Sequence, residues 1–549
     1  MGPESRRLGA LLCRLALCRL ALCRLALCRL ALCRLALCRL ARPILMVTQC
    51  RRQATFLLVR GRYAGFVDGC GYRRRVDLLT PQDATRFWLS RRACNDLFLL
   101  YCFDEAGWSA DALRAAVIAR SAEIPELRVR IREHRFAYPA WEPADLDEAQ
   151  IVVHTPEEPL WTTVEASLGE ILAHSVPARR YAWRIHLYRG IRDAPGGSGP
   201  ALVVVLQLSH ALADGRRAAH IARELLRGLD AVARAVADPD GGSGRVGSPH
   251  GSMANRHRGR ARVRLSSTAE TLAVEAVSLL SFLPGVARTV RRGFVAARAD
   301  AELNSLAETG EIPAAAPDFA PTRLNRPPAP ERRAVRVIAG ESLHIPGYTV
   351  TVVALTAISV AMSGYLAAHG ESVDSLGAQV SMALPVMTDR KVFPRNNYRD
   401  LGVDLRVAEP DLRLRARRIA AALAERRIRA THPLQSARDR VTDAIPAPVL
   451  RRDIAGYPLD LVPDRISGHT VLSSVHRGEA DFSIAGGAVR FTAGFPALGA
   501  VMHLTHGLHG LGTTVTLSVH ADPRVVDVDD YARRLRGAVR EIGARLTAE

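Results

Sequence analysis

From residue 76 onward the chain alternates short apolar runs with stretches whose apolar residues return every three or four positions. That alternation predicts strands and helices in turn, as in an α/β protein or one built of α+β halves. Thr80-Pro81-Gln82-Asp83 predicts a helix start, with Thr80 as the cap and Pro81 in the first turn. Residues 97–103 are an uncharged apolar run of the kind that makes a buried strand, and a helix is expected over about 109–124. Arg184-Ile185-His186-Leu187-Tyr188 alternates like a half-buried strand. The run 201–208, broken only by Gln207, delivers the chain directly to Ser209 and His210. After Gly215, the residues Ala218, Ile221, Ala222, Leu225, Leu226 and Leu229 fall on one face of a helix. The C-terminal half repeats the mixture, with strands expected over 378–384, 401–407 and 513–519 and helices over 350–369, 412–427 and 528–547.

Two passages interrupt this order. Between 238 and 262 Gly, Ser, Pro and Arg dominate, a composition that buries no core and predicts a mobile crossover. A helical stretch over about 267–303 follows, broken near Pro284, and sets Leu279, Leu280, Phe282 and Leu283 beside Arg288, Arg291 and Arg292. It either rests on a membrane surface or packs on the body with solvated arginines. A proline-rich passage over 313–330 precedes the second half. The expected organisation is an extension over 1–75, an N-terminal lobe over 76–237, a linker with a long helix over 238–330, and a C-terminal lobe over 331–549.

Charge and cysteine change the picture only at the N-terminus. The formal net charge of +20 is concentrated in residues 1–75, where sixteen arginines against Glu4 and Asp68 leave +14, and only +6 for the remaining chain. Six cysteines from Cys13 to Cys38 recur every five residues in a Leu-Cys-Arg-Leu-Ala repeat. A five-residue step turns a helix by about 140°, so the repeat has no apolar face, and its arginines also exclude a signal h-region or a membrane span. We expect this segment to be a translated tandem repeat upstream of a true start at Met46 or near Val76. Beyond it only Cys94 and Cys102 remain, too few for a disulfide framework. Arginines there alternate with acids like solvated helix faces, which argues against nucleic acid as a partner. His503, His506 and His509 recur every third residue without a cysteine or carboxylate cluster beside them, so no metal site is expected.

The candidate chemistry lies where a buried strand meets an amphipathic helix. His210, Asp214 and Gly215 form His-x-x-x-Asp-Gly, and a histidine just past a buried strand is rigidly held, with an ordinary pKa that lets it accept a proton at neutral pH. Asp214 is poorly placed to lie beside the imidazole and reads as a structural anchor for an arginine. Gly215 permits a sharp entry into the helix without a side chain in a substrate's way.

Other segments stand in fixed order around this motif: Leu78-Leu79-Thr80-Pro81-Gln82-Asp83, Ile124-Pro125-Glu126-Leu127-Arg128-Val129-Arg130, and Trp183-Arg184-Ile185-His186-Leu187 before it. After it come Ala320-Pro321-Thr322-Arg323-Leu324-Asn325, then Leu384-Pro385-Val386 through Arg390 to Asn396-Asn397, and Ser473-Ser474-Val475. In these residues the chain resembles the wax ester synthase/diacylglycerol acyltransferase family, which belongs with polyketide-associated acyltransferases, peptide-synthetase condensation domains and chloramphenicol acetyltransferase. The chain departs from the family pattern at Ser209, where a histidine is usual, in lacking an Asn-Asp pair near Val350, and in lacking a glycine before Asn396-Asn397.

The resemblance implies a chloramphenicol acetyltransferase-like double domain with a central channel between two lobes, open at both ends. It implies His210 as general base in direct acyl transfer from acyl-CoA to an alcohol or diacylglycerol, with acyl-CoA as substrate and no cofactor. Asp214 would then be structural, with Arg128 or Arg130 as its partner, and Asn397 and Ser474 are candidates to contact the oxyanion or substrate. The expected setting is cytoplasmic, at or near a membrane or lipid-droplet surface. Two further readings stay open: acyl transfer from a carrier protein to a polyketide-like alcohol, and a catalytically degenerate homologue that binds lipid or a partner.

Overall fold

A computed structural model describes residues 77–230, 256–327, 332–371, 374–385 and 394–547. The expectation for residues 1–75 lies outside these, as does most of the expected crossover.

The first lobe runs β1 (Asp77–Leu78), α1 (Pro81–Leu89), β2 (Leu97–Asp104), α2 (Ala110–Ala122), β3 (Val129–Arg132), β4 (Ala140–Pro143), β5 (Ile151–His154), α3 (Trp161–Ile171), β6 (Trp183–Ile191), β7 (Ala201–Leu208) and α4 (Gly215–Arg227). The connecting helices are α5 (Arg256–Leu280) and α6 (Phe282–Glu308). The second lobe runs β8 (Ala334–Ile338), α7 (Val350–Ala368), β9 (Gly377–Ala383), β10 (Tyr398–Asp404), α8 (Leu412–Thr431), α9 (Ser436–Thr442), α10 (Ala447–Gly456), β11 (Thr470–His476), β12 (Ser483–Ile484), β13 (Gly487–Gly494), β14 (Leu504–Leu511), β15 (Thr514–Ala521) and α11 (Val528–Thr547).

The fold is mixed α/β in two lobes. The N-terminal lobe is a sheet ordered β12-β13-β2-β7-β6-β5, with the small sheet β1-β4-β3 beside it, and the C-terminal lobe is a sheet ordered β10-β9-β11-β14-β15-β8. The expected lobe boundary needs one correction. β12 and β13 belong by sequence to the C-terminal half, yet β13 pairs antiparallel with β2, Gly494 opposite Leu99, and so extends the N-terminal sheet. The chain thus crosses between lobes at Arg477 and returns at β14.

The uniformly apolar runs are explained by where their strands lie. In β7 every residue is buried. Leu202, Val204, Leu206 and Leu208 enter one core with α2 and α4, while Ala201, Val203 and Val205 enter a second with α3 and with Val335 and Val337 of β8. A strand covered on both faces needs apolar residues at every position. The C-terminal core centres on α7, which is apolar around most of its circumference and packs against α8 and α11. By length and hydropathy α7 could cross a membrane, but two thirds of that window is buried inside the protein.

The helix starts read from sequence follow capping chemistry. Thr80 accepts from the Asp83 amide at the head of α1, and Ser109 from the Ala112 amide at the head of α2. The break between α5 and α6 falls at Ser281, three residues before the expected Pro284, and bends the pair by 51°. Proline lies in the first turn of α6, where its missing N–H costs nothing.

Candidate active site

Strand β7 ends at Leu208, and the next residues turn tightly, with the Leu212 amide donating to the Ser209 carbonyl. Asp214 then caps α4: its Oδ1 accepts from the Arg217 amide at 3.0 Å. The turn holds His210 half-buried between the apolar end of β7 and the C-terminal lobe.

A strap from the second lobe, residues 395–397, lies over this turn. The Asp214 amide donates to the Arg395 carbonyl at 3.1 Å, and the Asn397 amide donates to Asp214 Oδ2 at 3.2 Å. Asn396 Nδ2 donates to the His210 carbonyl at 2.7 Å and to Asp83 Oδ1 at 2.9 Å. Asp83, buried in α1, also accepts from the amides of Arg395 and Asn396 and from the Thr80 hydroxyl. Its carboxylate therefore ties the N-terminal opening segment to the strap across 312 or 313 residues of sequence. Burial raises its pKa, and these hydrogen bonds offset part of that shift.

Immediately after the strap comes Tyr398, the first residue of β10, which sequence reasoning missed. Its hydroxyl lies 3.4 Å from His210 Nε2, and the two rings stack with centroids 5.9 Å apart. The guanidinium of Arg86 lies over the Tyr398 ring at 5.2 Å. Burial, and then the positive charge of Arg86, push the His210 pKa down to about 3, so the imidazole is neutral at physiological pH. Its Nδ1 is buried and makes no hydrogen bond, and neither does the buried hydroxyl of Ser209.

The structure corrects three sequence assignments. Arg128 does not reach Asp214: it donates to the Ala144 carbonyl and pairs with Asp145, while Arg130 pairs with Glu142. Asp214 is structural through its helix cap and the Asn397 amide instead. Asn397 is not free to contact an oxyanion, because its Nδ2 donates to the Leu384 and Pro385 carbonyls. Ser474 faces the head of α7 and shares a hydrogen bond with Thr351 at 3.3 Å. Strand alternation turns its neighbours Ser473 and Val475 the other way, into a cavity between the lobes. Gly215 lies in the wall of that cavity, and a Cβ there would lie 3.0 Å from Val475 Cγ2, so the glycine lets the head of α4 approach β11 closely.

That cavity is small and partly open to solvent, and lies between β2, the head of α4, β11 and β14. The cavity reaches Gly215 and not His210, and the group facing His210 Nε2 is the Tyr398 hydroxyl.

Histidines 503, 506 and 509 do not converge. His503 pairs with Asp522, while His506 lies between Thr470 and Tyr531. A spacing of three on a strand sends His506 and His509 to opposite faces. Among the described residues no cluster of metal-ligating side chains forms.

The sequence matches no protein-family model and no curated protein. Solved structures do match. The starter condensation domain of rhizomide synthetase, solved with C8-CoA and Leu-SNAC, is 12% identical, covers 86% of this chain and 95% of its own, and has a TM-score of 0.49. The first condensation domain of the CDA synthetase is 14% identical, covers 86% and 96%, and has a TM-score of 0.47. The wax ester synthase/diacylglycerol acyltransferase from Marinobacter aquaeolei VT8 is 16% identical, covers 86% of this chain and all of its own, and has a TM-score of 0.54. The chain therefore shares the two-lobed fold of that wax ester synthase/diacylglycerol acyltransferase, from one end of that structure to the other.

Proposed function

We infer that the protein transfers an acyl group from a CoA thioester to the hydroxyl of a hydrophobic alcohol or diacylglycerol, with His210 as the base. The observation that carries this reading is the neutral imidazole held at the lobe interface with Nε2 already within reach of a hydroxyl, that of Tyr398. In the proposed reaction the acceptor hydroxyl displaces Tyr398. It gives its proton to Nε2 as its oxygen attacks the thioester carbonyl, and that proton passes to the departing thiolate. Base catalysis contributes about 10²–10⁴-fold, so alignment of the two substrates between the lobes must supply much of the remaining acceleration. The burial that keeps His210 neutral also penalises its protonated form. The developing oxyanion, close to the imidazolium in a poorly solvated site, offsets that penalty.

A hydrophobic acceptor fits the surface of α5 and α6. Leu280, Leu283 and Phe294 are 78%, 74% and 69% exposed. On α5, Leu272 and Leu279 are exposed seven residues apart, and on α6 Leu283, Val290 and Phe294 are exposed at spacings of seven and four, so each helix presents apolar residues along one side. Residues 276–299 carry four arginines and no acid, so we place this face on an anionic lipid surface.

The reading is tested by thiol release from acyl-CoAs of increasing length with long-chain alcohols and diacylglycerol as acceptors. Dependence on free CoA thioester rather than a carrier-protein thioester separates it from the polyketide-type alternative. The engagement of Nε2 by Tyr398 favours one second reading, a lipid-binding homologue without turnover. Lipid binding with no thiol release from any pair would establish that second reading instead.

A further inference from the structure

The crossover residue Arg477 is buried, 5% exposed, and forms no ion pair among the described residues. Its three hydrogen bonds all leave from Nη1 and end on neutral acceptors: the Leu100 and Ala493 carbonyls at 3.4 and 2.8 Å, and Thr492 Oγ1. The ring of Tyr101 lies 5.3 Å away, and its hydroxyl also interacts with the guanidinium as a neutral partner. Nε has no partner, and no hydrogen bond leaves from Nη2. A buried cation with only neutral partners is costly, and a counter-charge is what would offset that cost.

A second nitrogen points to the same place. His509 on β14 is also 5% exposed, and its Nδ1 is unpartnered. Burial and the charge of Arg477 hold it neutral, with one N–H to donate. A Cβ placed on Gly494 would lie 2.5 Å from Arg477 Nη2 and 2.9 Å from His509 Nε2. Arg477 and His509 therefore pack side by side against the bare backbone of Gly494. Arg477, His509 and Ser473 all line the cavity between the lobes, whose other walls include Leu97, Leu99 and Phe495.

We propose that this cavity binds a carboxylate on an apolar chain, with Arg477 and His509 holding the acid group. A carboxylate supplies one negative charge and two coplanar oxygens, which suit a guanidinium edge and a neighbouring N–H, while the alkyl body covers the apolar walls. Taken with the acyl-transfer reading, on which this step rests, one substrate carries an acid at the end remote from its reacting carbon.

The test is calorimetric titration of the full chain with octanoate, 1-octanol and inorganic phosphate. Octanoate is expected to bind at least about ten-fold more tightly than 1-octanol, the value of one charge-assisted hydrogen-bonded contact. Arg477→Gln should abolish that preference. Gly494→Ala should weaken it as well, because its methyl pushes Nη2 and the His509 ring aside, and His509→Phe, which keeps the ring and removes its N–H, should reduce the preference and decides the matter if the arginine variant unfolds. Equal binding of octanoate and 1-octanol, or no binding of either, overturns the proposal. Phosphate binding as tightly as octanoate also overturns it and assigns the cation to a phosphate ester. Titration needs no turnover: octanoate binding without thiol release removes the acyl-transfer reading alone, and thiol release without octanoate binding removes this site alone.

Discussion

The contact between Asp83 and the strap is the interaction through which the two lobes hold His210, and Asp83→Ala probes it directly. The carboxylate is 2% exposed and accepts four hydrogen bonds, at 2.7 to 3.1 Å. Its removal leaves the Arg395 and Asn396 amides unpaired, at about 1–3 kcal/mol each. One term opposes this. Because the folded pKa is raised, the ionised carboxylate destabilises the fold at neutral pH, and its deletion relieves that penalty. The expected net loss is about 2–4 kcal/mol in urea unfolding at pH 7. As pH falls toward the raised pKa, wild-type Asp83 takes up a proton and the penalty fades, so the gap between wild type and variant should change with pH. Thiol release should fall at least about ten-fold, because a displacement of about 1 Å at a catalytic group costs that much or more. Asp83→Asn keeps the shape and one acceptor and should lose roughly half as much stability. An Asp83→Ala protein within about 0.5 kcal/mol of wild type, with full activity, would refute the idea that this carboxylate holds the site together.

Other consequences are as concrete. Gly215→Ala forces a methyl to within 3.0 Å of Val475 and should cost about 1–3 kcal/mol in chemical denaturation. Val475→Ala in the same chain should restore much of that loss, and additivity of the two changes would contradict the packing argument. His186, His506 and His520 are almost fully buried, with pKa values lowered to about 3 mainly by burial. The unfolded chain binds these protons first, so each histidine makes stability fall with pH below about 6.5 by up to about 1.4 kcal/mol per unit, while Asp96 and Glu165, both raised to about 7 mainly by burial, act in the opposite direction. His506→Gln should therefore flatten or reverse the loss of stability between pH 7 and 5 relative to wild type, and an unchanged pH profile of its urea midpoint would show that this histidine is not buried neutral. Co-sedimentation with phosphatidylglycerol vesicles should be strong in wild type and lost in Leu280→Glu/Leu283→Glu, and unchanged binding of that variant would remove the lipid-facing role of α6.

Much of the fold was legible because the strongest sequence signals are local. The bounds expected for β7 and α11, and the Thr80 cap, match the structure because an uninterrupted apolar run, a 3.6-residue period and a capping hydroxyl each act within a few residues. His210 at the end of β7 was legible for the same reason. The rest depends on contacts that no local pattern encodes. β13 has no period-two pattern, and nothing in 487–494 says which lobe's sheet it joins. The Asp83–Asn396 clamp spans 313 residues, and Tyr398 becomes a site residue only because the strap beside it is tied to Asp83 and Asp214. Arg128 was assigned to Asp214 by resemblance, but Asp145 and the Ala144 carbonyl lie closer along β3 and β4 and satisfy it first.

The most direct measurement compares thiol release by wild type and His210→Ala with one long-chain acyl-CoA and one alcohol, both proteins shown to be folded. The account predicts a loss of about 10²–10⁴-fold in kcat with the wild-type unfolding midpoint retained. Equal turnover by the two proteins would contradict it.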